Sequence, residues 1–168
     1  MARVNKIDFF CGAFLSYIIS NGVKEPTLFE ASEKSKVINF SLRNKDYNAY
    51  LKYVSKPRLS RQSGKNYTQW DVTFTDKEKA FIENSFEASD KENIVVLVCA
   101  YENFRDTYFA ILNLEEARKC IGNDEVNEQA RISVRRMYGG RYVSCYGTAL
   151  SRENAIQIKY NFDDAFGF

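Results

Sequence analysis

Between Asn93 and Tyr101 the chain reads Ile-Val-Val-Leu-Val-Cys-Ala with no polar interruption. An apolar run of that length, rich in β-branched residues and bounded by polar clusters, is the pattern of a strand covered on both faces. It is the candidate for the centre of a sheet, and it constrains the fold more than any other stretch. The next residues, Glu102-Asn103-Phe104-Arg105, are too few for anything but an antiparallel return through 107–112.

The other elements are read outward from that strand. Val4, Ile7, Cys11, Phe14 and Ile18 repeat at spacings of three and four, and Asn5, Asp8, Gly12, Ser16 and Ser20 form a narrow polar stripe opposite them. This predicts a largely apolar N-terminal helix that lies across its own sheet or at an oligomer interface. Gly22 ends it, and Pro26 suits the first turn of a short second helix through Phe29 and Ala31. Residues 36–43 alternate as a strand, followed by the turn Arg43-Asn44-Lys45-Asp46. Thr75 with Glu78 forms a capping box ahead of Ala80, Phe81 and Phe86, and Asn113 with Glu116 repeats the device.

Two hairpins carry the function-like features. Residues 47–55 and 67–75 are expected to pair across an eleven-residue linker, 56–66. In the second arm Thr68, Trp70, Val72 and Phe74 share one face. Between Tyr47 and Trp70 there is no carboxylate, yet Lys52, Lys56, Arg58, Arg61 and Lys65 all fall there. The other hairpin joins 131–138 to 141–147 through Gly139-Gly140. Ile132, Val134 and Arg136 take its core face; Arg131, Ser133, Arg135 and Met137 lie beside Tyr142, Ser144 and Tyr146 on the other. Ala155, Ile156 and Ile158 extend the sheet or pack over it, and 163–168 is a tail pinned by its phenylalanines.

A chain of 168 residues has the length of one domain, so 1–168 is expected to be a single α+β domain. The sheet is expected to be antiparallel or mixed, of about five to seven strands, with helices on one side. The net charge of +2 conceals a segregation. The stretches 52–65 and 129–152 each carry five basic residues and no acid, while 76–92 holds six carboxylates. Such a chain can present a bipolar surface.

The residue inventory excludes several chemistries. The chain has no histidine, so Ser-His-Asp and Cys-His catalysis and histidine-bearing zinc motifs cannot be built from it. Cys11, Cys99, Cys120 and Cys145 are scattered among apolar neighbours, which reads as buried thiols in a reducing compartment. Neither phosphate-loop glycine motif occurs. A metal-dependent nuclease needs carboxylates converging with a lysine; the acid-x-Lys string is absent, and Gln157-Ile158-Lys159 reads as an ordinary strand. The apolar stretch 7–19 is interrupted by Asp8 and too short to span a bilayer.

What remains is binding. The chain is expected to be a non-catalytic, cytoplasmic protein whose two basic, aromatic-flanked hairpins contact a polyanion, foremost nucleic acid. The contact residues would be Lys52, Lys56, Arg58, Arg61, Lys65, Arg131, Arg135, Tyr142 and Tyr146. No catalytic residue, metal ligand, cofactor or membrane partner is expected. The rival readings are a protein-interaction or oligomeric subunit module built on the N-terminal helix, and a histidine-free metal-dependent nuclease or nucleotide-processing enzyme. The binding reading requires the two basic stretches, distant in sequence, to be neighbours on one solvent-facing patch.

Overall fold

The computed structural model describes residues 3–32, 34–102, 106–122, 129–159 and 162–166. The first half runs α1 (Lys6–Ser20), β1 (Lys24–Ser32), β2 (Ser35–Leu42), β3 (Lys45–Val54), β4 (Arg58–Gln62), β5 (Lys65–Thr73) and α2 (Asp76–Asn84). Then come β6 (Glu92–Ala100), β7 (Thr107–Asn113), α3 (Leu114–Ile121), β8 (Arg131–Met137), β9 (Tyr142–Gly147), a 3-10 turn (Arg152–Asn154), β10 (Ile156–Lys159) and α4 (Phe162–Ala165). Among the described residues the fold is α+β, and its strands form two five-stranded sheets, β1-β2-β3-β6-β7 and β10-β9-β8-β5-β4.

The apolar run forms β6, an interior strand of the first sheet, and both of its faces are used. Val95, Leu97 and Cys99 face the layer between the sheets, while Val96, Val98 and Ala100 face α1. On that second face Ile7, Phe10, Cys11, Phe14 and Ile18 of α1 pack over Ile38, Leu51, Val96 and Ile111. Each such side chain contributes about 1.5–3 kcal/mol when fully buried. The second sheet covers the opposite face with Trp70, Val72, Ile132, Val134, Val143 and Cys145. The Trp70 indole N–H donates to the Ala100 carbonyl at 2.8 Å and ties the sheets together.

β3 and β6 pair in parallel, Ala49 opposite Ile94 and Leu51 opposite Val96. Parallel neighbours need a long crossover. Here it consists of β4, β5 and α2, so the chain leaves the first sheet, lays a hairpin into the second, and returns through a capped helix.

This route corrects the expected hairpin of 47–55 with 67–75. β3 stays in the first sheet, and the partner of β5 is β4, cut from the basic linker. Ser63 and Gly64, at φ +51° and +76°, make the two-residue turn whose twist suits a hairpin. All five residues of β4 are exposed, so no alternation of hydrophobicity marks it in the sequence. The second helix expected at Pro26 is also absent: that stretch is the edge strand β1, where a proline costs no ladder bond. Nor do the helices share one side. α1 and Phe166 belong to one layer of the first sheet, α2 and α3 to the other.

Other expectations hold. Both capping boxes form, at Thr75 with Glu78 and at Asn113 with Glu116. The β8–β9 register puts Ile132, Val134 and Arg136 opposite Gly147, Cys145 and Val143. β10 extends the second sheet beside β9. The expected return at 103–105, residues 123–128 and the last two tail residues lie outside the described residues. No described helix is long and apolar enough to cross a membrane.

Candidate nucleic-acid interface

β5 pairs with β8, and this single adjacency brings the two basic stretches side by side. One face of the second sheet turns away from the core. Across it, paired residues make rows: Arg58, Gln69, Arg135, Ser144 and Gln157 in one, and Asp71, Ser133 and Tyr146 in the next. Tyr67 and Met137 form a third row. Among the described strand residues of this face, Asp71 is the one carboxylate.

Asp71 is fully engaged. Its carboxylate accepts from Ser133 Oγ at 2.6 Å and from Gln69 Nε2 at 2.8 Å, and it pairs with the Arg58 guanidinium. Partial burial pushes its pKa up, but the hydrogen bonds from Ser133 and Gln69 and the charge of Arg58 outweigh this, so Asp71 titrates below the usual range. Arg58 therefore spends its charge within the sheet, although its side chain remains 66% exposed. Tyr146 donates its hydroxyl to Gln69 Oε1 at 2.8 Å and is half-buried.

Arg135 is answered differently. Its guanidinium lies 3.7 Å from the centre of the Tyr67 ring and donates Nη2 to Gln62 Oε1 at 2.9 Å. Both partners are neutral, so its charge is not cancelled. Arg131, at the far end of β8, is half-buried, with Nε enclosed and without a hydrogen-bond partner among the described residues. Tyr142 is exposed at the start of β9. Lys65 lies opposite Gln62 and so on the same face, and Lys56 is exposed ahead of β4.

Two expected contact residues lie elsewhere. Lys52 belongs to the first sheet and is buried; its ammonium pairs with Glu78. Glu78 also accepts from the Thr75 backbone N–H at 2.9 Å and from Ser32 Oγ at 3.2 Å. Burial pulls the Lys52 pKa down. On Glu78 burial pushes upward, but the bonds from Lys52 and Thr75 prevail, and its carboxyl titrates below the usual range. This is a core ion pair, closed to any ligand. Arg61 sits opposite Asn66 on the reverse side of the β4–β5 hairpin. There, with Leu59 and Tyr138, it lines a shallow depression of about 420 Å³.

Sequence reasoning missed Gln62, Tyr67, Arg141 and Arg152 as site residues. Period-two counting puts Tyr67 on the outward face, but its meaning depends on the β5–β8 pairing. Arg152 comes from the 3-10 turn, which no strand pattern announces, and donates Nη2 to Gln62 Oε1 at 2.6 Å.

Among the described residues no group of three or more His, Cys, Asp or Glu could hold a metal ion. All four cysteines are buried free thiols. Burial raises Cys11 to about 11 and Cys120 to about 12, and raises Cys99 and Cys145 as well, so the thiols stay protonated at neutral pH. Phe10 and Phe14 of α1 are completely buried against Tyr53 and Phe109 of the same chain. They belong to the core of this chain. No protein-family model, curated protein or solved structure matches this chain.

Proposed function

We propose that the chain is a non-catalytic, cytoplasmic binding protein that takes single-stranded nucleic acid on the outward face of its second sheet. The observation that carries this reading is the adjacency of β5 and β8, which sets cations from both basic stretches beside tyrosines on one face of the second sheet. Guanidinium and ammonium groups at Lys65, Arg131, Arg135 and Arg141 would meet phosphates. Tyr142 and the Arg135–Tyr67 stack offer flat surfaces for bases, which unstacked single strands can use and paired duplexes cannot. The four unpaired thiols favour a reducing compartment.

Fluorescence anisotropy with a short labelled single strand tests the reading. Four phosphate contacts give a log–log salt slope near −2.8, so raising salt from about 50 to 200 mM should weaken binding about 50-fold. Replacing Lys65, Arg131, Arg135 and Arg141 together by glutamine should abolish binding with the circular dichroism spectrum retained. Arg61→Ala should barely matter, because it lies behind the hairpin, whereas Arg58→Ala should weaken binding a few-fold by leaving the Asp71 carboxylate uncancelled on the face. Salt-insensitive binding, or binding that survives the fourfold change, overturns the proposal.

A further inference from the structure

One corner of the outward face is shaped. Where the β8–β9 turn meets the 3-10 turn, a depression of about 260 Å³ is lined by Arg135, Arg141 and Arg152 together with Tyr67, Tyr142 and Ser144. No carboxylate lines it. Among the described residues none of these three arginines forms an ion pair, whereas Arg43, Arg58 and Arg118 each do.

Gln62 makes this corner unusual. Its Oε1 accepts Nη2 of Arg135 at 2.9 Å and Nη2 of Arg152 at 2.6 Å. The two guanidinium nitrogens are therefore no further apart than these two bonds together. Like charges at that spacing repel, and a neutral amide oxygen orients them without cancelling either. Arg135 is moreover held by Tyr67 behind it and is 8% exposed. One guanidinium held from two sides, a second tethered beside it, a third from Arg141 and no acid in the lining suit a compact anion of charge near −2. Guanidinium forks suit phosphate oxygens in particular.

We infer that this corner binds a phosphomonoester, supplied by the phosphorylated end of the strand; the inference rests on the strand-binding reading of the same face. A phosphomonoester carries about −1.5 to −2 at pH 7, whereas each internal diester of the backbone carries one charge. The depression is also small for a ligand pocket, since drug-sized ligands occupy roughly 300–1,000 Å³. It has room for a phosphate and its sugar, with Tyr142 at the rim for the first base.

The test compares one hexanucleotide sequence with a 5′-phosphate, a 3′-phosphate or hydroxyl ends, at fixed salt, on the full chain. One phosphorylated form should bind about tenfold more tightly than the hydroxyl form. The preference should vanish in Arg152→Gln. It should also vanish in Gln62→Glu, which keeps every arginine but places a carboxylate between two of them; its melting temperature should be unchanged or raised. If all three oligonucleotides bind equally, the pocket is overturned and the sheet reading survives. If none binds, yet adenosine 5′-monophosphate does and Gln62→Glu removes it, the phosphomonoester pocket stands and the strand reading falls. If neither the oligonucleotides nor the mononucleotide bind, both fall.

Discussion

Lys52 in β3 and Arg135 in β8 are both cations on interior strands, and both are nearly hidden, at 5% and 8% exposure. Lys52 meets a carboxylate, Glu78, which the capping box of α2 already holds in place. Arg135 meets a neutral amide and the face of a tyrosine. The first arrangement closes on itself: charge is cancelled between two buried partners. The second fixes the geometry of a cation and leaves its charge uncancelled. Burial alone therefore does not separate a cation neutralised within the fold from one that is not. What separates them is whether the nearest acceptor carries a charge.

The largest expected effect lies on the Lys52 side. Glu78→Ala strands a buried ammonium and removes one partner of the capping box, and should cost about 3–5 kcal/mol of unfolding free energy in a denaturant titration. Replacing both partners, Lys52→Met with Glu78→Leu, should recover much of that loss, because an apolar pair leaves no buried charge. A Glu78→Ala cost below 1 kcal/mol would remove the contrast with Arg135.

Acid should act through the same carboxylate. Glu78 and Asp71 titrate below their ordinary values of 4.5 and 3.8. The unfolded chain therefore binds protons first as pH falls. Their contribution is fully present above those ordinary values and is lost as pH drops through the lowered, folded ones. Stability followed from pH about 6 to 2 should fall, and less steeply in Glu78→Gln.

On the other side, Arg135→Gln should weaken strand binding about tenfold while changing stability by about 1 kcal/mol or less. A large stability loss there would make Arg135 a second Lys52. Thr75→Ala should cost about 1 kcal/mol through the lost cap of α2. Smallest of all, Arg58→Ala removes a partly exposed pair and should cost about 0.2–1 kcal/mol of stability.

Much of the fold was legible in the sequence. The apolar run announced an interior strand, the Thr75–Glu78 and Asn113–Glu116 spacings announced two helix starts, and Gly139-Gly140 announced a hairpin in the correct register. Each of these signals is local, carried by residues within a turn or a strand of one another. β4 was not legible, because an edge strand with every side chain in solvent has no face to conceal from water. β1 resembled a helix because Pro26 suits a helix start and an edge strand equally well. Of the expected contact residues, the outward set on β8 and β9 followed from period-two counting. Lys52 was misassigned because Glu78, its partner, lies 26 residues away and on another element.

By itself the sequence determined where most stretches extend or coil, which faces of most strands are apolar, and that these residues supply no histidine; these follow from side-chain type and short-range periodicity. Only the tertiary structure decided that there are two sheets rather than one, that β5 lies beside β8, and that Gln62 brings Arg135 and Arg152 together. Strand partners are selected by long-range burial of apolar faces, and the composition of a basic stretch does not reveal which of its charges will find an acid once the chain has closed.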